Sequence, residues 1–294
     1  MTGEPKANTT TARGLDHVAH AVHDLDLAAA FYARAGFKVG ARNRHPAAWG
    51  TQNHIVQLPG FFIELLAMAD AGAIAPLAQR RFSFGAFNRD FLARGQGLSM
   101  LVLKGRDSAA EAKAFRAADI GDFELIEFER EAKRPDGTPT KVAFSLAFAR
   151  DPKAPDIACF TCKQRYPENF WNPAFQQHAN TAVGVAGVVL VAPNPRDHGP
   201  FLSAFTADGE VLKTSTGGAI EVMDPAAFTS LFGVPTPDMT RGARLAPLRF
   251  AVGDMAVARA TLQTQKIDFI EPMQRLVVGP EVAIGATLVF ESAG

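Results

Sequence analysis

Three histidines follow one another at intervals of three residues in the segment LDHVAHAVHDL, which begins at Leu15. An imidazole ring can bind a divalent metal, transfer a proton near neutral pH, or fill a core as a neutral, hydrogen-bonded ring. If residues 16–22 form a β-strand, His17 and His20 face opposite sides of the sheet, because successive strand side chains alternate. The spacing therefore predicts that His17 and His20 have different roles.

Glu64 is a second candidate for chemistry, because it lies inside the apolar segment FFIELLAM. Buried carboxylates are almost always paired or bound to a metal. An imidazole together with a carboxylate suits Fe, Mn, Zn or Co, and an open coordination position would admit a substrate. The alternative interpretation is that Glu64 merely caps an edge strand.

The segment with the three histidines has three counterparts, which begin at residues 98, 186 and 246. Each is an apolar strand pattern that ends at Asp or Asn, and each precedes a helical pattern and short β-like runs. The sequence therefore predicts an α+β protein with a βαβββ module repeated four times, at about 14–70, 96–170, 183–225 and 245–293. Residues 1–13 are predicted to be a disordered tail, 14–170 a first domain of two modules, and 171–294 a second.

The counterparts indicate which histidine faces an open surface. Those of His20 are apolar residues, namely Val102, Leu190 and Phe250. Those of His17 are Ser99, Gly187 and Pro247, none of which is a large core residue. We therefore expect His17 on an open face, His20 in a core as a hydrogen-bonded ring, and His23 in a solvated turn.

A module that begins with LDHVAHAV and ends with FFIEL resembles the vicinal oxygen chelate superfamily, and more closely the glyoxalase-like domain family. The segment GFKV…RHPAAWGTQN is also similar to that family. The resemblance covers residues 15–70 and recurs from PENFWNPAFQQHAN to GVVLVAPNP. It implies mixed sheets that pair into cups around one divalent metal, which is Zn, Mn, Co, Ni or Fe.

In this resemblance the metal ligands are a His on the first strand and a Glu or Gln on the last strand of a module. These positions correspond to His17 and Glu64, and either His178 or Glu221 is expected to complete the site. Glu221 and Glu291 occupy the same relative place as Glu64. Extradiol dioxygenases of the superfamily would need histidines at Gly187 and Pro247, and their absence argues against that reaction.

The remaining candidates surround the histidine-bearing module. In RHPAAWGTQNH, Trp49 and Asn53 are predicted to bind substrate and His54 to be catalytic, although at most one of Asn53 and His54 can face the cup. Arg165 and Trp171, in the connector RYPENFW, are predicted to bind substrate as part of a lid. The alternative is that the connector is simply a packed crossing.

Composition excludes several classes of protein. Thirty basic residues balance thirty acidic ones, so no basic surface for nucleic acid or an anionic membrane is expected. The start of the chain lacks the apolar core of a signal peptide, which predicts a cytoplasmic protein. Cys159 and Cys162 form a C-x-x-C on a predicted strand, where packing is favoured over redox or zinc chemistry.

Three functions therefore remain open for a protein that binds a small molecule and could form a homodimer. The first is a lyase or isomerase of glyoxalase type, in which a divalent metal acts as a Lewis acid on a small substrate with vicinal oxygens. The second is a non-haem iron dioxygenase. The third is a metal-free protein that sequesters a small molecule in an aromatic cup.

Overall fold

Two mixed β-sheets organise the protein, as a computed structural model shows for residues 12–133, 137–207 and 218–293. The predicted strand EVLKTS, at 210–215, and most of the predicted tail lie outside these residues. Within the described part of the chain, no helix is both long and apolar enough to cross a bilayer. Ala12 and Arg13, which were assigned to the tail, are buried, and Arg13 Nη1 donates a 2.6 Å hydrogen bond to the Phe205 carbonyl.

The strands of the first sheet are β1 (Leu15–Ala21), β2 (Asn43–Arg44), β3 (Thr51–Leu58), β4 (Phe61–Met68), β5 (Gly97–Lys104), β6 (Ile126–Lys133), β7 (Pro139–Ala149) and β8 (Ala158–Gln164). Their order is β2-β3-β4-β1-β5-β8-β7-β6. β1 pairs parallel with β4, β5 pairs parallel with β8, and β1 and β5 meet antiparallel in the middle. The two halves are thus related by an approximate twofold axis between β1 and β5.

The second sheet contains β9 (Ala182–Val191), β10 (Ala219–Met223), β11 (Arg244–Val252), β12 (Leu276–Val278) and β13 (Leu288–Ser292), in the order β10-β9-β11-β13-β12. Its central pair, β9 and β11, is also antiparallel, and each of the two pairs parallel with the last strand of its own module. The predicted α+β fold with cupped mixed sheets is confirmed. The third and fourth modules have fewer strands within the described residues than the βαβββ pattern predicts.

The helices are α1 (Leu25–Arg34), α2 (Phe84–Leu92), α3 (Ser108–Ala117), α4 (Pro167–Phe170), α5 (Gly199–Thr206), α6 (Pro225–Phe232) and α7 (Met255–Thr264). α1 begins where the Asp24 side chain accepts a 2.9 Å hydrogen bond from the Leu27 amide. It is followed by Gly36, whose φ of +88° suits a residue without a Cβ.

One core lies between the two sheets. It contains inward-facing residues of both sheets, such as Val18 and Leu248, and the buried faces of α1, α3, α5 and α7. The opposite face of each sheet is a separate concave surface with its own apolar cluster. Packing on the core side of each sheet therefore stabilises the fold, and the concave side offers a surface for a ligand.

His20 lies in this core, as the strand alternation predicts. It is fully buried, its Nε2–H donates to the Ile284 carbonyl at 2.8 Å, and its Nδ1 accepts from the Tyr32 hydroxyl at 3.0 Å. A carbonyl can only accept, so Nε2 carries a proton, and in the neutral ring Nδ1 can accept from the Tyr32 hydroxyl. Burial lowers the pKa of His20 from 6.5 to about 4, although the bond to Ile284 opposes the shift.

The stability of the protein is expected to fall as pH decreases from 6.5 to about 4. In this window the unfolded chain protonates His20 while the folded chain does not, so the unfolded state binds more protons. The difference in pKa corresponds to a loss of about 3 kcal/mol at the acid end. Free energies of unfolding should show this slope in the wild type and lose it in His20→Gln; equal slopes would contradict the assignment.

Candidate functional site

The concave face of the first sheet forms a narrow cup with an aromatic wall. Seven aromatic side chains line it: Trp49, Phe62, Phe84, Phe128, Phe144, Phe160 and Phe170. Its free volume is about 60 Å³. His17, His45, Asn53 and Glu64 also line it, and all four side chains are largely buried. Polar groups are costly to bury in such apolar surroundings, so their convergence indicates a site.

His17 is oriented by its neighbour Asp16. Its Nδ1–H donates a 2.6 Å hydrogen bond to Asp16 Oδ1, and Gln164 Nε2 donates to Asp16 Oδ2 at 3.3 Å. The ring stacks on Phe62, with centroids 4.1 Å apart. Among the described residues, Nε2 of His17 has no hydrogen-bond partner, so a neutral ring presents a lone pair to the cup. That atom can accept a proton or bind a cation.

Glu64 is held by two side chains from the β2–β3 hairpin. Asn53 Nδ2 donates to Glu64 Oε1 at 2.6 Å, and His45 Nε2 lies 3.1 Å from the same oxygen. Burial alone would raise the pKa of Glu64, but the hydrogen bond and charge of His45, with smaller contributions from His17 and Asn53, lower it below its usual value. Glu64 is therefore ionised at neutral pH and is not an edge-strand cap.

A wider groove opens outside the cup and shares four lining residues with it: Asn43, Ile55, Arg130 and Phe170. Its free volume is about 780 Å³, and Trp171 lines it. The connector that carries Phe170 and Trp171 is fixed to β3, because Gln57 Nε2 donates to the Phe170 carbonyl at 2.7 Å. The connector thus forms a wall of the groove.

Three predicted residues have clear positions relative to the cup. Trp49 lies in its wall and stacks on Phe84, with centroids 4.7 Å apart. His54 points to the opposite face of β3 from Asn53, where its Nδ1 bonds the Gly40 carbonyl at 2.7 Å. The structure therefore does not support His54 as a catalytic residue. Arg165 is half-exposed, pairs with Glu127 and lines neither cavity, so it does not reach the predicted substrate site.

The two candidates for a third metal ligand are also elsewhere. His178 Nε2–H donates to the Gln57 carbonyl at 2.8 Å, and its Nδ1 accepts from the Lys38 amide at 3.0 Å, so both ring nitrogens are occupied. Burial lowers its pKa, which suits this neutral structural role. Glu221 lies on the second sheet and forms an ion pair with Arg249. The structure brings neither residue to His17 and Glu64.

Strand register shows which residues of the second module correspond to His17 and Glu64. Glu64 pairs with Ala19, two residues after His17. The paired residues Val18 and Leu101 are separated in the chain by the same distance as the starts of α1 and α3, so the twofold axis passes between them. His17 and Ala19 therefore correspond to Met100 and Val102, and Val102 pairs with Phe160, the equivalent of Glu64. The sequence comparison had given Ser99 as the counterpart of His17, one residue before Met100.

In the third module Glu221 pairs with Val189, two residues after Gly187, and in the fourth Glu291 pairs with Ala251, two residues after Arg249. Pro247 lies eight residues before the start of α7, as His17 lies eight residues before the start of α1, so Pro247 remains the counterpart of His17 and Arg249 lies two residues after it. The Arg249 guanidinium pairs with both Glu221 and Glu291. The apolar part of this second cup is filled by Phe228 and Phe232 of α6. The second cup is thus closed by its own residues.

Replacing Arg249 should destabilise the protein without affecting the first cup. Arg249→Gln leaves Glu221 without its cation, while Glu291 keeps Arg275, and we expect the free energy of unfolding to fall by about 1–3 kcal/mol. Adding Glu221→Gln to that variant removes the unpaired carboxylate and should recover part of the loss. Chemical denaturation of both variants measures this; a double variant less stable than Arg249→Gln would contradict it.

The donors in the first cup fit a resident metal poorly. His17 and Glu64 occupy the positions that the resemblance implies, but their equivalents in the second module are Met100 and Phe160, which offer no nitrogen or oxygen ligand. Cys162 also lines the cup, and burial raises its pKa well above its usual value, so it remains a thiol. Within the described ranges, no group of three or more His, Cys, Asp or Glu side chains is placed to hold a metal ion.

Sequence reasoning missed His45 and Arg130 as cup residues. A signal for His45 was present: Pro46 and Gly50 flank a tight turn, which joins β2 and β3 as a hairpin with Asn43 opposite Asn53. In that hairpin the His45 amide donates to the Thr51 carbonyl, so the side chain lies on the same face as Asn53. Arg130 lies on the far edge strand β6, and no local pattern brings it near His17.

Comparisons with known proteins agree with this fold. A family model described as a glyoxalase-like domain matches residues 15–206. A hypothetical protein from Staphylococcus aureus superposes with a TM-score of 0.64 at 13% identity, over 95% of this chain and 99% of the other. A search of curated proteins finds no match to the sequence.

Two further solved structures resemble the chain over most of its length. A mutant of 4-hydroxymandelate synthase from Streptomyces coelicolor gives a TM-score of 0.57 at 11% identity, over 96% of this chain and 94% of that one. The Mn(II)-bound glyoxalase from Novosphingobium aromaticivorans gives 0.52 at 10% identity, over 96% and 83% respectively. At these identities the likeness establishes the fold alone.

Proposed function

The chain belongs to the glyoxalase-like domain family, and from that premise we propose that its first cup is the active site of an isomerase or lyase that moves a proton on a small carbonyl substrate. One observation carries the proposal. An unpaired His17 Nε2, oriented by Asp16, and an ionised Glu64 face the same narrow aromatic cavity. A site for binding alone would not need two buried acid–base pairs, whose desolvation is costly.

The roles of the residues follow from their contacts. His17 Nε2 accepts a proton from a carbon next to a carbonyl group, and the electrons of that C–H bond move into an enolate. Asp16 holds the ring in the tautomer with the lone pair on Nε2 and stabilises the imidazolium that forms. Returning the proton to the other face or to a neighbouring carbon gives isomerisation. The aromatic wall excludes water, which strengthens these interactions.

Glu64 is a second proton carrier in this proposal. Its Oε1 is tied to His45 and Asn53, so the carboxylate has a fixed position in the cup. As His17 removes the C–H proton, a substrate hydroxyl next to the carbonyl can donate its proton to Glu64, which returns it to the former carbonyl oxygen and so gives an enediolate with one negative charge. Substrates with adjacent oxygens, which the family resemblance implies, therefore suit the pair.

A divalent metal at His17 and Glu64 is the second candidate function, and one distance favours it. His45 Nε2 and Glu64 Oε1 are 3.1 Å apart, a separation typical of two ligands of one ion. An ion there would have to displace the His45–Glu64 hydrogen bond to obtain a third ligand. A bound metal would supply Lewis-acid chemistry, and the dioxygenase alternative would need iron in that position.

The test is a deuterium-exchange screen of carbonyl compounds in D2O, monitored by NMR, with protein dialysed against a chelator and with undialysed protein. We expect exchange at the carbon next to the carbonyl in both samples. Exchange that is lost on dialysis and restored by a divalent ion would support the metal site instead. Saturable binding without exchange of any compound would overturn the proposal in favour of sequestration.

A further inference from the structure

Arg130 lines both the cup and the outer groove, and among the described residues no other arginine lines either of them. It lies on β6 opposite Val142, on the same strand face as Phe128. Its side chain is half-buried. By contrast, Arg165 lies outside both cavities and has a carboxylate partner in Glu127. Arg130 has no hydrogen-bond or ion-pair partner among the described residues.

A half-buried guanidinium without a partner does not stabilise the folded state, because it loses hydration and gains no hydrogen bond or ion pair in return. Burial lowers the pKa of Arg130, and no neighbouring carboxylate opposes this effect. Glu131 and Glu168 also line the outer groove, yet neither pairs with Arg130. A guanidinium offers a planar set of donors that matches a carboxylate in two hydrogen bonds. The missing partner is therefore an anionic group that arrives with a ligand.

Cavity shape sets the other features of that ligand. The cup, about 60 Å³, has room for only a small group, and its walls are aromatic. The groove, about 780 Å³, is wide and includes amide side chains such as Gln57 and Asn172. Arg130 stands at the junction of the two spaces. A ligand whose small end group reaches His17 therefore has the adjoining part of its molecule beside Arg130.

We propose that the substrate of the first cup is an organic acid whose carboxylate is bound by Arg130 at the junction of cup and groove. Its reacting carbonyl is the small end group that enters the cup toward His17 and Glu64, and its apolar aryl or alkyl body lies in the groove, against Phe170 and Trp171. This assignment rests on the proposed function for the reacting end, but the carboxylate site is independent of turnover. Arg130 is then a specificity-determining residue.

The experiment measures equilibrium binding of 3-phenylpropanoate and of 3-phenylpropanamide, its uncharged analogue, to the full-length protein by isothermal calorimetry. Wild-type protein should bind the acid more tightly than the amide. Arg130→Gln should weaken binding of the acid by about 10- to 100-fold, because it removes a charge-assisted hydrogen bond, and should leave the amide unchanged. Arg165→Gln is the matched control and should bind both probes as the wild type does.

Thermal stability gives a second readout, because Arg130 makes no hydrogen bond or ion pair with the described residues that its removal would break. Arg130→Gln should unfold at the same temperature as the wild type or higher. The proposal is overturned if wild-type protein shows no preference for the acid, whether both probes bind or neither does. It is also overturned if Arg130→Gln keeps the preference. Binding of the acid without any deuterium exchange would overturn the proposed reaction and leave the carboxylate site standing.

Discussion

His17→Asn should lower the rate of deuterium exchange by about 10²- to 10⁴-fold, the range expected when a general base is removed. The variant keeps a polar side chain of similar size next to Asp16 but loses Nε2, the atom that faces the cup without a partner. Binding of the carboxylate probe should change by less than about threefold, because its charged group meets Arg130. The measurement is the exchange rate at saturating substrate.

His178→Asn is the matched control for that variant. His178 is also a partly buried histidine with two hydrogen bonds. These bonds join its segment to β3 and to the loop after α1, and neither of them lies in the cup. We expect it to lose stability and to keep its exchange rate per folded molecule. Equal losses of exchange in His17→Asn and His178→Asn would contradict the position of the site.

His45→Leu should lower exchange strongly at acid pH and less at neutral pH. With the hydrogen bond and charge of His45 removed, burial is opposed only by weaker contributions, so the pKa of Glu64 rises. Because its pKa is raised, the Glu64 carboxylate becomes protonated at a higher pH in the variant than in the wild type. The acid limb of the rate profile should therefore move to higher pH, so that the variant loses exchange at an acid pH where the wild type still retains it.

The control for His45→Leu is Asn53→Leu, which removes a smaller contribution to the pKa of Glu64 from the same hairpin. It should move the acid limb in the same direction by less. A profile that is unchanged in His45→Leu, with normal folding, would show that Glu64 takes no part in the reaction.

The sequence was sufficient to predict the fold and to separate the two central histidines. Alternation along β1 depends on local geometry alone, and apolar counterparts identified the core face that His20 occupies. Glu64 was also recognisable, because a carboxylate within an apolar strand needs a partner. These inferences concern single strands, in which the chain itself dictates which side chains share a face.

The predictions that failed required knowledge of pairing between distant strands. The ungapped comparison of the first two modules was displaced by one residue, so it gave Ser99 and not Met100 as the counterpart of His17. Arg130 joins the cup only because β6 closes the far edge of an eight-stranded sheet. His178 was placed near the site from chain order, whereas both its ring nitrogens bind backbone groups.

The account is tested most directly by the ring nitrogens of the seven histidines, observed together in ¹⁵N-histidine-labelled protein by NMR. A carbonyl acid that undergoes exchange is added until binding saturates. We predict that the Nε2 signal of His17 shifts, that its Nδ1 remains protonated toward Asp16, and that the signals of His20, His54 and His178 stay in place. An unchanged His17 at saturation, or a shift centred on His54 or His178, would contradict the assignment of the first cup as the active site.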